Sequence, residues 1–459
     1  MKQTILLATA IFLLASACSK GFLEEIPNSN ILTPEHVEDF QRLLDNSEMI
    51  GISGVLAQLA ADDYYINTES SWLASKTATE RNSYIWAKDI FGGEVAVNDW
   101  NMPFVSIFYV NNIIHAIEKN KYSGNLKVDF KDIYGQALFH RAKAYFDLVK
   151  NFSVPFDEQT QYTDLGVPLR IDPSIDYQAQ RATVKECYDL IFQDLDKARQ
   201  YLTFSSLLPE RNRATKLAAY ALLSRIHMYR REYDKAEKFA DSVLNKYDNL
   251  IDYNTISQTS NTPFTRINDE LIMYGATTTY NNASHINRTN TVFVDSMLIK
   301  LYEPNDLRLS IYFIKGNLGE YTVKRGYNGT GLTPFNGLAI DEVLLNKIEC
   351  LVRKDDLDQA SQEMERLLKN RYKKGTYNHK PFVNKELSME FVINERRKEL
   401  VWRCLRWDDI KRLNKEGKGI VLSRKIGNSI YKLEPNSSRY VFNIPQDEIN
   451  RSGINQNLR

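Results

Sequence analysis

Apolar positions recur at steps of three and four along most of the chain, the spacing that lays one face of an α-helix against a core. Val37, Phe40 and Leu44 mark the first such face, behind Thr33 as N-cap and Pro34 at the first helical position. Val105, Tyr109, Ile113 and Ala116 mark a second face, and Leu138, Ala142, Tyr145, Val149 and Phe152 a third. The stretch after Thr183 is the most regular. Val184, Tyr188, Ile191, Leu195, Ala198 and Leu202 alternate steps of four and three, and Thr183 with Glu186 forms a capping box. Two helices follow closely, one carrying Leu217, Ala221, Ser224 and Met228, the next Tyr233, Ala236, Ala240, Val243 and Tyr247, with a turn around Arg230 to Glu232.

Short turns between helices of this length make antiparallel pairs, and stacked pairs of about 34 residues are the tetratricopeptide architecture. Setting Ala236 on the repeat's second-helix alanine puts Tyr220, Leu223 and Ser224 on its aromatic, leucine and small-residue positions. His227, Ala240 and Val243 fit less well, so the repeat is degenerate. Glu342 to Arg353 and Leu357 to Tyr372 make a later pair around the turn Lys354 to Asp356. The pattern predicts a mainly α fold of about four tetratricopeptide-like helix pairs, spread over roughly residues 100–250 and 340–415.

Outside these blocks the period is lost. Residues 251–340 hold Tyr253, Phe264, Tyr274, Tyr280, Tyr312, Tyr321 and Tyr327 among many Asn and Gly residues, and residues 61–103 hold Tyr65, Trp72, Tyr84, Trp86 and Trp100. Rings and amides on irregular backbone, carried by a rigid helical frame, are a recurrent recipe for a binding face.

The first residues change the picture. Lys2, the apolar run Ile5 to Leu14 and the small residues Ala15, Ser16 and Ala17 read as a secretion signal, too short for a spanning helix of roughly 20 residues. Cys18 comes next, and Ala-Ser-Ala-Cys resembles a lipobox with Ala15 where Leu is usual. The expectation is a signal over residues 1–17, a lipid on Cys18, a tether over residues 18–30 and one domain over residues 31–459.

Composition narrows the function. Fifty-nine basic residues balance 58 acidic ones, so there is no electrostatic footprint for nucleic acid. Cys187, Cys350 and Cys404 are too few and too scattered for a disulfide framework or zinc site, and read as small buried hydrophobes. The six histidines form no metal-ligand spacing, and phosphate-loop, nucleophile-elbow and dinucleotide signatures are absent, so neither a metal nor a cofactor is expected. Asp62 and Asp63 alone do not make a glycosidase pair. Glu395 to Glu399, with bases interleaved, reads as a salt-bridged structural helix.

The run Asn394-Glu395-Arg396-Arg397-Lys398-Glu399-Leu400, continuing through Arg406-Trp407-Asp408-Asp409-Ile410-Lys411-Arg412, resembles the C-terminal signature of SusD/RagB proteins. So do Asn443-Ile444-Pro445-Gln446 and Asn455-Gln456-Asn457 at the end, and Asp99-Trp100-Asn101, Asn111-Asn112 and Arg141 to Leu148 upstream. Cys404 stands in place of a usual glycine, Arg403 in place of an acidic residue, and the Pro-Gly-Tyr expected after Asn457 is missing. The resemblance implies tetratricopeptide-like helices under an irregular ligand-facing half, a place on the exterior of the outer membrane, and a TonB-dependent transporter as partner. It implies a binding protein for glycans rather than an enzyme, with a peptide ligand or a purely docking role as the alternatives.

Flat rings bind sugar faces by apolar contact while amide and guanidinium groups bond the hydroxyls. On that reading the candidate ligand residues are Trp72, Arg81, Asn82, Trp86, Tyr280, Asn281, Asn282 and Tyr327.

Overall fold

The computed structural model describes residues 36–119, 128–174, 177–204, 211–284 and 291–459. The signal segment, Cys18, the tether, the Thr33–Pro34 cap and His285 lie outside the described residues. No helix among the described residues is long and apolar enough to cross a membrane.

The chain is mainly helical. It opens with α1 (Val37–Leu44), which buries Phe40 and Leu44 as its period predicts, and α2 (Leu56–Ala60). Then follow β1 (Tyr64–Ile66), α3 (Glu69–Leu73) and α4 (Ala78–Tyr84), short elements on otherwise irregular backbone. The long helices α5 (Asn98–Lys119) and α6 (Val128–Phe152) pack together. In α5 the buried face differs from the one read off the sequence: Ile107, Val110, Ile113, Ile114 and Ile117 turn inward, while Val105, Tyr109 and Ala116 sit at its margin. This helix is apolar on more than one side, so its amphipathic direction is weakly encoded.

The hairpin β2 (Leu165–Pro168) with β3 (Arg181–Thr183) leads into α7 (Val184–Tyr201). The Thr183–Glu186 capping box is formed, with Glu186 N–H donating to Thr183 Oγ1 at 3.2 Å and Thr183 N–H to the Glu186 carboxylate at 2.8 Å. All six periodic residues from Val184 to Leu202 are buried. Next come α8 (Lys216–Tyr229) and α9 (Tyr233–Leu244). α8 is buried on every side, against α7, α9 and, across the chain, α12 (Ile340–Arg353). An all-round apolar helix belongs at the centre of a stack. Its small residue Ser224 lets α9 approach, and Ser224 Oγ donates to the Ala236 carbonyl at 3.0 Å.

Residues 251–340 are irregular. They carry β4 (Leu271–Met273), β5 (Val292–Val294), α10 (Ser296–Ile299), α11 (Arg308–Tyr312), β6 (Phe313–Lys315), β7 (Tyr321–Val323) and β8 (Leu338–Ala339). The pairings are antiparallel: β1 with β5, β4 with β8, β6 with β7. The helical stack resumes beyond them, because α9 packs directly on α12, which pairs with α13 (Leu357–Lys369). The two tight helix pairs share one turn geometry. Arg231 between α8 and α9 has φ 64° and Asp355 between α12 and α13 has φ 70°, each closed by the same run of backbone hydrogen bonds. That identity supports a true repeat beneath the degenerate sequence.

The signature helices α14 (Lys385–Glu399) and α15 (Arg406–Lys415) follow, then the hairpin β9 (Leu422–Ile426) with β10 (Ser429–Leu433) and a last helix, α16 (Gln446–Ser452). One large apolar core runs from Phe40 to Ile454. A second, smaller cluster gathers Tyr64, Tyr84, Val292, Val294, Tyr302, Phe313 and Trp402 under the irregular segments. Cys187, Cys350 and Cys404 are free and buried.

Candidate functional site

The site is assembled around α4. Thr77 caps its N-terminus, Glu80 returns the box, and the Glu94 carboxylate accepts the Ala78 N–H at 2.7 Å. The far turn of the second irregular segment is stitched to the same helix end: Asn282 N–H donates to Glu80 at 2.8 Å, and its side-chain amide donates to Ser75 Oγ at 2.9 Å. Arg81 donates to the Ser75 carbonyl at 2.7 Å, and the Trp72 indole N–H donates to the Arg81 carbonyl at 3.0 Å. Segments some two hundred residues apart are thereby tied together, with Trp72, Arg81 and Asn82 close in sequence to one side of the join and Tyr280, Asn281 and Asn282 on the other.

Their availability differs. Trp72 is half-buried, its ring fixed by the indole hydrogen bond and by packing on the smaller core cluster. The side-chain amides of Asn82, half-buried, and Asn281, exposed, make no hydrogen bond among the described residues. Tyr280 keeps an accessible edge, but its hydroxyl is bonded to Asp99. Burial raises the Asp99 pKa, opposed by the Leu56 and Val55 N–H groups that its carboxylate accepts. Asn282 is buried and its amide is used structurally.

Two expected residues are placed elsewhere. Trp86 is 1% exposed and donates its indole N–H to the Ala60 carbonyl at 2.9 Å, inside the core. Tyr327 is 2% exposed and its hydroxyl donates to Glu270. It borders a cavity of about 40 Å³, too small for a sugar ring. Neither offers a face to a ligand, because each was the ring chosen to fill space between irregular segments.

Over the smaller core cluster opens a cleft of about 500 Å³. The ring of Tyr321 and the side chains of Gln258, Asn261, Ser310, Lys315 and Lys324 line it. None of these was singled out as a ligand residue. Tyr321 was one aromatic among many in residues 251–340, and no period tells which ring faces outward there. A second cleft of about 370 Å³ lies at the head of α14, among Tyr377, Phe382, Val383, Asn384, Leu387 and Phe391.

The acidic candidates are engaged in holding the fold. Asp62 bonds Arg406 at 2.7 Å and 3.0 Å and pairs with Arg397 at 3.2 Å. Burial works against its charge, but these guanidiniums hold its carboxyl well below the usual range. Asp63 is pushed up to about 6 by burial and by the neighbouring Asp62 charge. Glu270, Asp341 and Glu399 are close enough together to hold a cation, yet guanidiniums already occupy them: Arg371 bonds Glu270 at 2.6 Å and Glu399 at 2.7 Å, and Arg403 bonds Asp341 at 2.6 Å. His227 stacks between Phe192 and Phe239, at centroid distances of 4.9 Å and 5.4 Å, as a packing residue.

Residues 21–228 match a family model described as SusD-like, starch-binding associating with outer membrane, and residues 316–458 match the model of the SusD family. No curated protein matches the chain. Among solved structures, a SusD superfamily protein from Bacteroides thetaiotaomicron is 22% identical with a TM-score of 0.74, covering 93% of this chain and 100% of its own. A putative sugar binding protein from Bacteroides vulgatus is 22% identical with a TM-score of 0.72, over 92% and 98% of the two chains. A SusD-like carbohydrate binding protein from the same species is 17% identical with a TM-score of 0.64, over 92% and 97%.

Proposed function

Since this chain belongs to the SusD/RagB family, we propose that it is a cell-surface binding protein that captures glycans outside the cell and passes them to a TonB-dependent outer-membrane transporter. It performs no chemistry on them. The observations that support this reading are the half-buried Trp72 ring and the side-chain amides of Asn82 and Asn281, which make no hydrogen bond among the described residues, on segments joined through Asn282, Glu80 and Ser75, together with a cleft that adds Tyr321, Gln258 and Asn261. An anchored ring and outward amides are what a sugar requires, an apolar platform and hydrogen-bonding groups already fixed in place before it arrives. The similarity to a model described as starch-binding, and to neighbours described as sugar or carbohydrate binding, supports the same ligand class.

The test is direct. The processed protein, presented to a glycan and peptide array, retains glycans, and Trp72→Ala combined with Asn281→Ala weakens the captured glycan about tenfold or more by calorimetry. Unchanged affinity in that pair removes the surface, and retention of peptides alone replaces the ligand class.

Attachment follows from Cys18, acylated at the lipobox-like Ala-Ser-Ala-Cys. Cys18→Ala shifts the protein from the membrane fraction to the soluble one; continued membrane retention would remove the anchor. A docking role alongside binding is favoured by Val383, Leu387 and Phe391, an exposed apolar stripe at four-residue spacing leading into α14. Co-purification with the transporter, lost on Leu387→Asp, is the outcome expected of it.

A further inference from the structure

The 500 Å³ cleft contains a charge without a counter-charge. Lys324 is 7% exposed and lines the cleft wall, where its ammonium donates to the Gln258 carbonyl at 2.5 Å and the Ser310 carbonyl at 2.7 Å. Both acceptors are neutral, and an ammonium has three N–H groups to place. Among the described residues Lys324 makes no ion pair, and neither does Lys315, exposed on the same wall, nor Arg325 beside it. Most other buried cations of this protein are treated differently, Arg424 excepted, which bonds the carbonyls of Ala61 and Tyr64 and lies against the rings of Tyr84 and Trp86. Lys143, Lys150, Lys398 and Lys411 each meet a carboxylate, as do Arg308 and Arg371.

One carboxylate does line the cleft, and it is spent. Asp306 gives both oxygens to Arg308, at 2.8 Å and 2.7 Å, and shares one with Lys398 at 2.9 Å. Burial alone holds the Lys324 pKa below the ordinary lysine value, with no neighbouring carboxylate acting the other way. A buried cation left uncompensated is costly, and chains pair such groups wherever a partner can be placed.

We propose that this cleft takes a sugar unit bearing an anionic group, carboxylate or sulfate, whose charge completes Lys324 while Lys315 meets it at the rim. The ring of Tyr321 offers the apolar face, and Asn261, whose amide is unengaged, with Gln258 offers groups for the hydroxyls. The inference rests on the glycan-binding reading and narrows it from glycans in general to acidic ones. It also separates two roles: the neutral Trp72, Asn82 and Asn281 side chains grip the chain, and the cationic cleft selects it.

The experiment presents the processed protein to an array of neutral polysaccharides, polyuronates and sulfated glycans, followed by calorimetry on whatever is retained. Retention of polyuronates or sulfated glycans over neutral ones, with affinity falling as ionic strength rises, is the expected result. Which of the two is retained distinguishes carboxylate from sulfate. Lys324→Met should weaken the retained glycan at least about tenfold, and Lys315→Met, on an exposed side chain that the fold does not need, should weaken it less but measurably. A thermal melt of Lys324→Met separates loss of binding from loss of folding, and Lys315→Met tests the cleft if the first variant unfolds. Retention of neutral glycans alone overturns the inference and leaves the glycan-binding reading standing. Acidic glycans bound with unchanged affinity by Lys315→Met and by a folded Lys324→Met overturn the site. If no glycan is retained, both readings fall together.

Discussion

Arg308 has no exposed surface, and its guanidinium touches three carboxylates: Asp306 at 2.7 Å, Glu395 at 2.7 Å and Glu399 at 2.8 Å. Glu399 continues to Arg371, which continues to Glu270. The run Glu395 to Glu399 forms the salt-bridged helix that its sequence predicts, but most of its partners lie on other elements. Lys398 to Glu395 is the one pair within the run; Arg396 reaches Asp409 on α15, and Arg397 reaches Asp62. The signature residues are therefore rivets between α14 and everything around it. Arg308→Met should destabilise the protein by about 3–5 kcal/mol in denaturant melts, because three acids lose their shared cation. A loss below about 1 kcal/mol would show the network to be incidental. Arg403 is matched by buried Asp341 at 2.6 Å, so its charge is answered locally. His140 gives a pH signature. It is 3% exposed, neither ring nitrogen has a hydrogen-bond partner among the described residues, and burial pushes its pKa down to about 3, with Lys143 adding to the effect. Unfolding below the ordinary imidazole range therefore takes up a proton that the folded state refuses. Stability falls as pH drops from about 6.5 toward 3, by on the order of 1–2 kcal/mol at pH 5. His140→Leu should flatten that part of the wild-type curve, and an unchanged slope would assign it to other groups.

Elements differ in how plainly they are written. α7 has one apolar face, a capping box and polar residues opposite, so period and cap agree with the structure residue by residue. Thr183→Ala should cost about 1 kcal/mol, read as a lower thermal midpoint, since it frees the Glu186 N–H. α5 and α8 were legible as helices but not in orientation, because a helix with apolar residues on several sides has no single preferred inward direction. The loops show the opposite balance. Their composition predicts a binding face without saying which rings face outward: Trp86 lies in the core and Tyr321 on a cleft. Trp86 sits at φ 54°, a left-handed turn that swings its indole inward to Ala60. No spacing rule anticipates such a residue outside glycine. The joining of the segments that carry Trp72 and Asn281 depends on hydrogen bonds that Asn282 donates to Glu80 and Ser75, some two hundred residues away. Lys324 was invisible for the same reason: a lysine's missing counter-ion is a fact of three-dimensional neighbours.

At the scale of the whole molecule, the early chain is held by the late chain. Arg406 and Arg397 bind Asp62, Cys404 N–H donates to Gln58, and Arg424 donates to the carbonyls of Ala61 and Tyr64. Gln456 clasps both backbone groups of Ile444 at 2.8 Å, and Asn457 donates to the carbonyls of Phe152 and Phe442. Contacts spanning more than three hundred residues are the slow ones to form. A chain made N-terminus first therefore has an opening segment unable to settle until the final sixty or so residues arrive. Maturation is set by the last stretch released rather than the first. Stop codons after residue 393 should yield fragments that cellular proteases clear, however much helical sequence they retain.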